Sequence, residues 1–300
     1  MQTPWGDLTV CDAHVHFFSP RFFATLANQR QPAATAASLG PLLGWEIPET
    51  PEALAGRWVE EFERAGVAMA AIIASVPGDE ESVAAARAVA PQRFAGYFMV
   101  NPLAADATSR VERALAEGLR GVCFFPAMHG YSIQAAEVDA ILASVPPGTV
   151  IFVHCGVLSV GVRKKLGLKS PFDLSHSNPV DLHAVALRYP DLRFVIPHFG
   201  AGYLREALMV CDLCPNVLLD TSSSNQWMRF HPGLTLDAVF RAALDVAGPR
   251  RLLFGTDSSF FPRGWNRAVF EQQVTALERA GAGADEARFI LGANLLDLLG

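Results

Sequence analysis

The run Cys11-Asp12-Ala13-His14-Val15-His16-Phe17 follows an apolar, β-prone stretch, Leu8–Val10, and reads as a strand that ends in His-x-His. Side chains two apart on a strand point to one side. His14 and His16 therefore present two imidazoles together, half of a metal site. Asp12 shares their parity and is expected to hold an imidazole by its second nitrogen or to reach the metal itself. His154, His198 and Asp257 come later, each at the end of its own apolar run. Three imidazoles and a carboxylate suit Zn²⁺ or another divalent transition metal, with one position open to water.

Residues so far apart in sequence meet only if the fold returns each apolar run to one rim. After the first strand the pattern predicts strands at residues 67–75, 93–100, 119–125, 149–154, 192–197, 217–220 and 251–254. Helical spacing separates them, at residues 51–64, 79–90, 108–118, 135–145, 178–189, 203–211, 234–247, 267–280 and 284–295. Continuous rather than alternating apolar runs are what strands buried on both faces of a parallel sheet require. Eight such βα units over 300 residues predict an α/β fold, a (β/α)8 TIM barrel, as one domain spanning residues 1–300. An open doubly wound sheet would want a Gly-rich phosphate turn, and neither Gly-x-Gly-x-x-Gly nor the phosphate-loop pattern is present. In a barrel of this kind the strand C-termini open on one face, where active sites lie. Residues 18–49 read as a long irregular insertion rich in proline, glycine and aromatics (Phe22, Phe23, Trp45), expected to form a lid or pocket wall.

Composition narrows the class. The chain is 51% hydrophobic and 18% charged, the balance of a large core with a modest surface, which argues against disorder. A net charge of -6 argues against nucleic acid and anionic membranes as partners. The most continuous apolar run, residues 67–76, is far short of a bilayer span. No basic segment followed by an apolar stretch and a cleavage site opens the chain, so a cytoplasmic location is expected. Five cysteines, an odd number, point to reduced thiols. Cys211-Asp-Leu-Cys214 lacks the second pair that zinc would need, and packed thiols are expected there.

The motifs Asp-x-His-x-His, Val-His154-Cys-Gly, Pro-His198-Phe-Gly and Phe-Gly-Thr-Asp257, in this order, resemble the amidohydrolase superfamily. The likeness is to its amidohydrolase-related branch, which includes aminocarboxymuconate-semialdehyde decarboxylase, other non-oxidative decarboxylases and lactone hydrolases. The ending Ile290-Leu-Gly-Ala-Asn294-Leu-Leu is similar to the family's last helix. The resemblance implies His14, His16, His154 and Asp257 as metal ligands and His198 as the group that activates water; Asp257 is expected to share that duty. Two-metal members carry a lysine at the end of the fourth strand. Here that end reads Cys123-Phe-Phe-Pro-Ala-Met128, so a single ion is expected, Zn²⁺ first and Mn²⁺ second.

Around this centre, Arg163 in a basic loop suits a bidentate grip on a substrate carboxylate, and His176 could donate to a substrate oxygen. Arg263, Trp227 and Phe17 are candidates for the wall of an apolar or aromatic-acid pocket. The run Thr221–Asn225 reads as a polar rim loop, since no Gly-x-Ser-x-Gly elbow accompanies it. The expected activity is hydrolysis of a small carboxylated substrate, a lactone or an ester- or amide-like bond. Non-oxidative decarboxylation at the same site is the alternative, and a catalytically silent ligand-binding barrel is the reading from another class. A homodimer is a family-level expectation.

Overall fold

The computed structural model describes residues 1–30, 34–222 and 225–300. Eight parallel strands run in sequence order around one sheet: β1 Val10–Phe17, β2 Val67–Ala74, β3 Phe94–Val100, β4 Gly121–Phe124, β5 Val150–Val153, β6 Arg193–Ile196, β7 Val217–Asp220 and β8 Leu252–Leu253. Every residue of β3, β4, β5 and β7 is buried, as strands covered by helices outside and by one another inside must be. This is the TIM-barrel architecture, with each predicted strand in place and most of them a residue or two shorter.

Closure between β1 and β8 is irregular. β8 pairs with β7 over two residues, and the chain beyond it then lies along β1. The Ala13 amide donates to the Phe254 carbonyl (2.8 Å), the Asp257 amide to His14 (2.9 Å) and the His16 amide to Ser258 (2.7 Å). These bonds set Asp257 beside the two histidines of β1.

Residues 18–49 depart from the expected irregular chain. They hold two helices, α1 Pro20–Asn28 and α2 Ala36–Leu43, joined through residues 31–33, which lie outside the described ones. Ser19 caps α1 by accepting the Phe22 amide, with Pro20 at the first helical position, an arrangement that pre-forms the first turn. Thr35 and Ser38 close a capping box on α2, and Gly44 ends it in the left-handed conformation. The last predicted helix also differs. It runs Ala284–Arg288, opens into a π-turn over Phe289–Ala293, and resumes at Asn294–Leu299. The wider turn leaves the Ile290 carbonyl free to accept the Phe254 amide (3.0 Å), and Asn294 donates to the Pro249 and Leu252 carbonyls, each at 2.7 Å. The terminal motif thus fastens β8. All five cysteines are buried and free.

Candidate metal centre

Among the described residues, one set of His, Cys, Asp or Glu donors has ligand atoms within 4.8 Å of one another: His14, His16 and Asp257. His14 Nε2 lies 3.4 Å from His16 Nε2, and Asp257 Oδ1 lies 3.8 Å from the first and 3.3 Å from the second. The opposite ring nitrogens are already committed. His14 Nδ1 donates to Asp220 Oδ2 at 2.6 Å. His16 Nδ1 meets Ser75 Oγ at 2.7 Å, and the Ser75 hydroxyl spends its own proton on the Ile73 carbonyl (3.0 Å), so Ser75 must accept. Both Nε2 atoms therefore carry lone pairs. Three acceptors converge with no hydrogen among them when both rings are neutral, and a cation is what such a donor set fits.

Electrostatics reinforce the point. Burial lowers the pKa of His14, but the Asp220 carboxylate and its hydrogen bond, with Asp257, outweigh it and hold the pKa above its ordinary value. Burial likewise works against ionised Asp257, yet His16, which in its protonated form donates to it and adds positive charge, together with the charges of His14 and His198, brings its carboxyl down to about 2. The site stabilises positive charge between its carboxylates, as a proton or as a metal ion.

The remaining predicted ligand, His154, lines the same cavity but stands outside this set of three. Its ring stacks on Phe125 (centroids 5.3 Å apart) and meets His198 edge-on at 5.4 Å. Its Nδ1 is buried without a hydrogen-bond partner, an orphaned donor atom of the kind a fourth ligand supplies. Burial, and then the charges of His198 and His14, push its pKa well below the ordinary histidine value, so the ring is neutral. His198 lies between the two, its centroid 5.0 Å from His14, and burial lowers its pKa as well.

His198 and Asp257 sit in the left-handed backbone region, at φ 56° and 57°. For residues other than glycine this costs on the order of 1–3 kcal/mol each and persists where surrounding bonds impose it. Here the imposition is visible: Asp257 is bonded to β1, and Gly156 after β5 packs so closely on the Gly200 and Ala201 carbonyls that a side chain has no room. That contact sets the loop behind His154 against the turn that carries His198.

The cavity above these groups has a volume of about 430 Å³. Phe18, Phe22, Trp45 and Phe260 form its aromatic wall, with Phe18 stacked on Phe22 at 3.9 Å and Trp45 on Phe260 at 4.1 Å. Arg263 lines it too, lying 4.5 Å over the Phe260 ring and donating to Ser259 Oγ (3.0 Å).

Several expectations need correcting. Asp12 faces away from the centre: a register irregularity after it breaks the strand parity, and its carboxylate accepts from the His14 and Thr256 amides, the Thr256 hydroxyl and Trp265 Nε1. Arg163 does not line the cavity, because its guanidinium is taken by Gln29, Ser170 and the Lys169 carbonyl. Lys165 of the same loop does line it, 5.4 Å over Trp45. His176 stands apart on a turn beside Asp173, and Trp227 and Phe17 are packed in the core. Ser223 and Ser224 of the predicted rim loop lie outside the described residues. Sequence reasoning missed Asp220 and Ser75 and read Ser222 only as part of a polar rim loop; their one signal was a polar side chain at or just past the end of an apolar strand.

The chain matches the amidohydrolase family over residues 11–300 and belongs to it. Solved structures at 13–19% identity share the fold. A 5-carboxyvanillate decarboxylase of Novosphingobium aromaticivorans with bound manganese superposes with TM-score 0.67 at 13% identity, over 97% of each chain. An amidohydrolase of Burkholderia multivorans with bound zinc gives 0.60 at 17%, over 97% and 99%. A TIM-barrel protein of Bordetella bronchiseptica gives 0.65 at 19%, over 97% and 98%. Protein fluG of Emericella nidulans is 34% identical over 93 residues, 30% of this chain, and the match spans a tenth of that protein.

Proposed function

We propose that the protein is a metal-dependent hydrolase that opens a small carboxylated substrate, a lactone or an ester- or amide-like bond, at a centre holding one Zn²⁺ or Mn²⁺. The observation that carries this reading is the convergence of His14 Nε2, His16 Nε2 and Asp257 Oδ1 at 3.3–3.8 Å, with the Nδ1 atom of each histidine already committed. His14, His16 and Asp257 would hold the ion, with His154 as the fourth ligand. Held there, a divalent cation would supply Lewis-acid chemistry, polarising a carbonyl oxygen and lowering the pKa of water toward 7.

The chain's own residues supply the rest. His198, neutral at pH 7, has Nδ1 committed to Ser222 at 3.0–3.1 Å, which leaves Nε2 to take a proton from the attacking water. Asp257, ionised far below neutrality, can share that proton. Arg263 offers a planar donor pair to the substrate carboxylate, and the stacked aromatics take the apolar part of the molecule.

A panel of lactones, esters and carboxylated aromatics, assayed before and after chelation, tests this. Turnover should vanish with the metal and return with Zn²⁺ or Mn²⁺; turnover untouched by chelation would refute it. The same donors would serve non-oxidative decarboxylation, a reading that the fold shared with the manganese-bound decarboxylase supports. Release of CO₂ without consumption of water decides for that alternative.

A further inference from the structure

Asp220 ends β7 and Ser222 follows two residues later, both sealed from solvent. So few hydrogens are available here that each can be assigned. Asp220 Oδ1 accepts the Ser222 amide at 2.6 Å, and Oδ2 accepts His14 Nδ1 at 2.6 Å and the Ser222 hydroxyl at 2.9 Å. Ser222 Oγ is also 2.9 Å from His14 Nδ1 and 3.0 Å from His198 Nδ1, and the Ser222 carbonyl is 3.1 Å from that same His198 nitrogen. A carboxylate and a carbonyl only accept. Both Nδ1 atoms must then carry hydrogens, and the single hydroxyl proton points to Asp220, leaving the oxygen's lone pairs to receive His198. A Cβ on Gly255 would lie 2.8 Å from Asp220 Oδ1 and 2.9 Å from the Cβ atoms of His14 and Ser222, so only glycine fits against the cluster.

We propose that Asp220 and Ser222 form one positioning unit that serves the ligand His14 and the base His198 together, an assignment that rests on the metal-centre reading above. Asp220 fixes the tautomer of His14. Ser222, with its hydroxyl held by Asp220, passes that order to His198 and keeps Nε2 there free of hydrogen. Holding the ion and moving the proton are thus coupled through one hydroxyl. Neither residue lines the cavity, so both act through the histidines. The unit is directional: loss of the Asp220 carboxylate disturbs both rings, whereas loss of the Ser222 hydroxyl removes one of two partners of His198 and spares the bond from His14 to Asp220.

Nitrogen-15 NMR of the histidine-labelled, metal-free protein tests this, together with Zn²⁺ titration against a competing chelator. Wild-type His198 should give the signals of an Nδ1–H ring. Ser222→Ala should displace those signals and raise the Nε2–H share, with Zn²⁺ affinity changed by less than about threefold. Ser222→Cys, which keeps the volume and a weak donor, should fall between. Asp220→Asn should weaken Zn²⁺ binding by about 10–100-fold and displace the His198 signals as well. If Asp220→Asn fails to fold, the two Ser222 variants decide alone. The proposal is overturned if His198 carries its hydrogen on Nε2, if Ser222→Ala leaves its signals unmoved, or if Ser222→Ala costs as much Zn²⁺ affinity as Asp220→Asn. A wild-type protein that takes up neither Zn²⁺ nor Mn²⁺ would remove the metal-centre reading instead; the His198 signals, read without metal, would still decide the fate of the unit.

Discussion

A shortage of hydrogens defines the floor of the cavity. His14, His16 and Asp257 turn lone pairs toward one another because Asp220 and Ser75 have already taken the other face of each ring. His198→Ala should keep the metal and lose turnover by about 10²–10⁴, the usual contribution of a general base; metal content and kcat of the variant check this, and full activity would refute the role. Arg263→Ala should raise KM by about tenfold or more with a smaller change in kcat, as expected when a carboxylate grip acts on ground state and transition state alike. The side chains that line the floor were legible in the sequence, since His-x-His, the later histidines and Asp257 stand at or near strand ends. Their supports were not. An aspartate or serine after a strand is commonplace, and only the folded distances single out Asp220 and Ser222. Asp12 was misjudged for a different reason: strict alternation fails where the strand shifts register.

At the scale of elements, β1 and the segment after β8 do most of the positioning, and α1 and α2 supply the aromatic wall. Ser19 joins these parts, capping α1 while donating to buried Asp79 at 2.5 Å. Ser19→Ala should cost about 1–2 kcal/mol and lower Tm by about 2–4 °C, read by thermal unfolding. An unchanged Tm would mean that α1 is held by its apolar face alone. Strand order and number followed from continuous apolar runs, which carry a strong signal. The two helices did not, because proline and glycine across residues 18–49 outweighed the Ser19-Pro20 and Thr35-x-x-Ser38 caps that in fact start them. The π-turn near Ile290 was also invisible, since its cause is a hydrogen bond from Phe254, 36 positions away in the chain.

For the molecule as a whole, a chain of net charge -6 places Arg263 and Lys165 at the mouth of its cavity, a local reversal of sign that favours small anions. Elsewhere the barrel half-buries His129, whose Nδ1 finds no hydrogen-bond partner. Burial pulls His129 from its ordinary 6.5 down to about 4, so between those values the unfolded chain binds the proton more readily. Stability therefore falls as pH drops from about 6.5 toward 4 and is fully present above that window. Denaturant titrations at pH 7 and pH 5 should show a smaller difference for His129→Gln than for the wild type; equal differences would contradict it.

Elemental analysis of the protein after reconstitution with Zn²⁺ or Mn²⁺, beside the His14→Ala/His16→Ala double variant, tests the centre most directly. One tightly held ion per wild-type chain and none in the folded variant is the expected result. Equal metal in both, or none in either, would contradict the site built around these side chains.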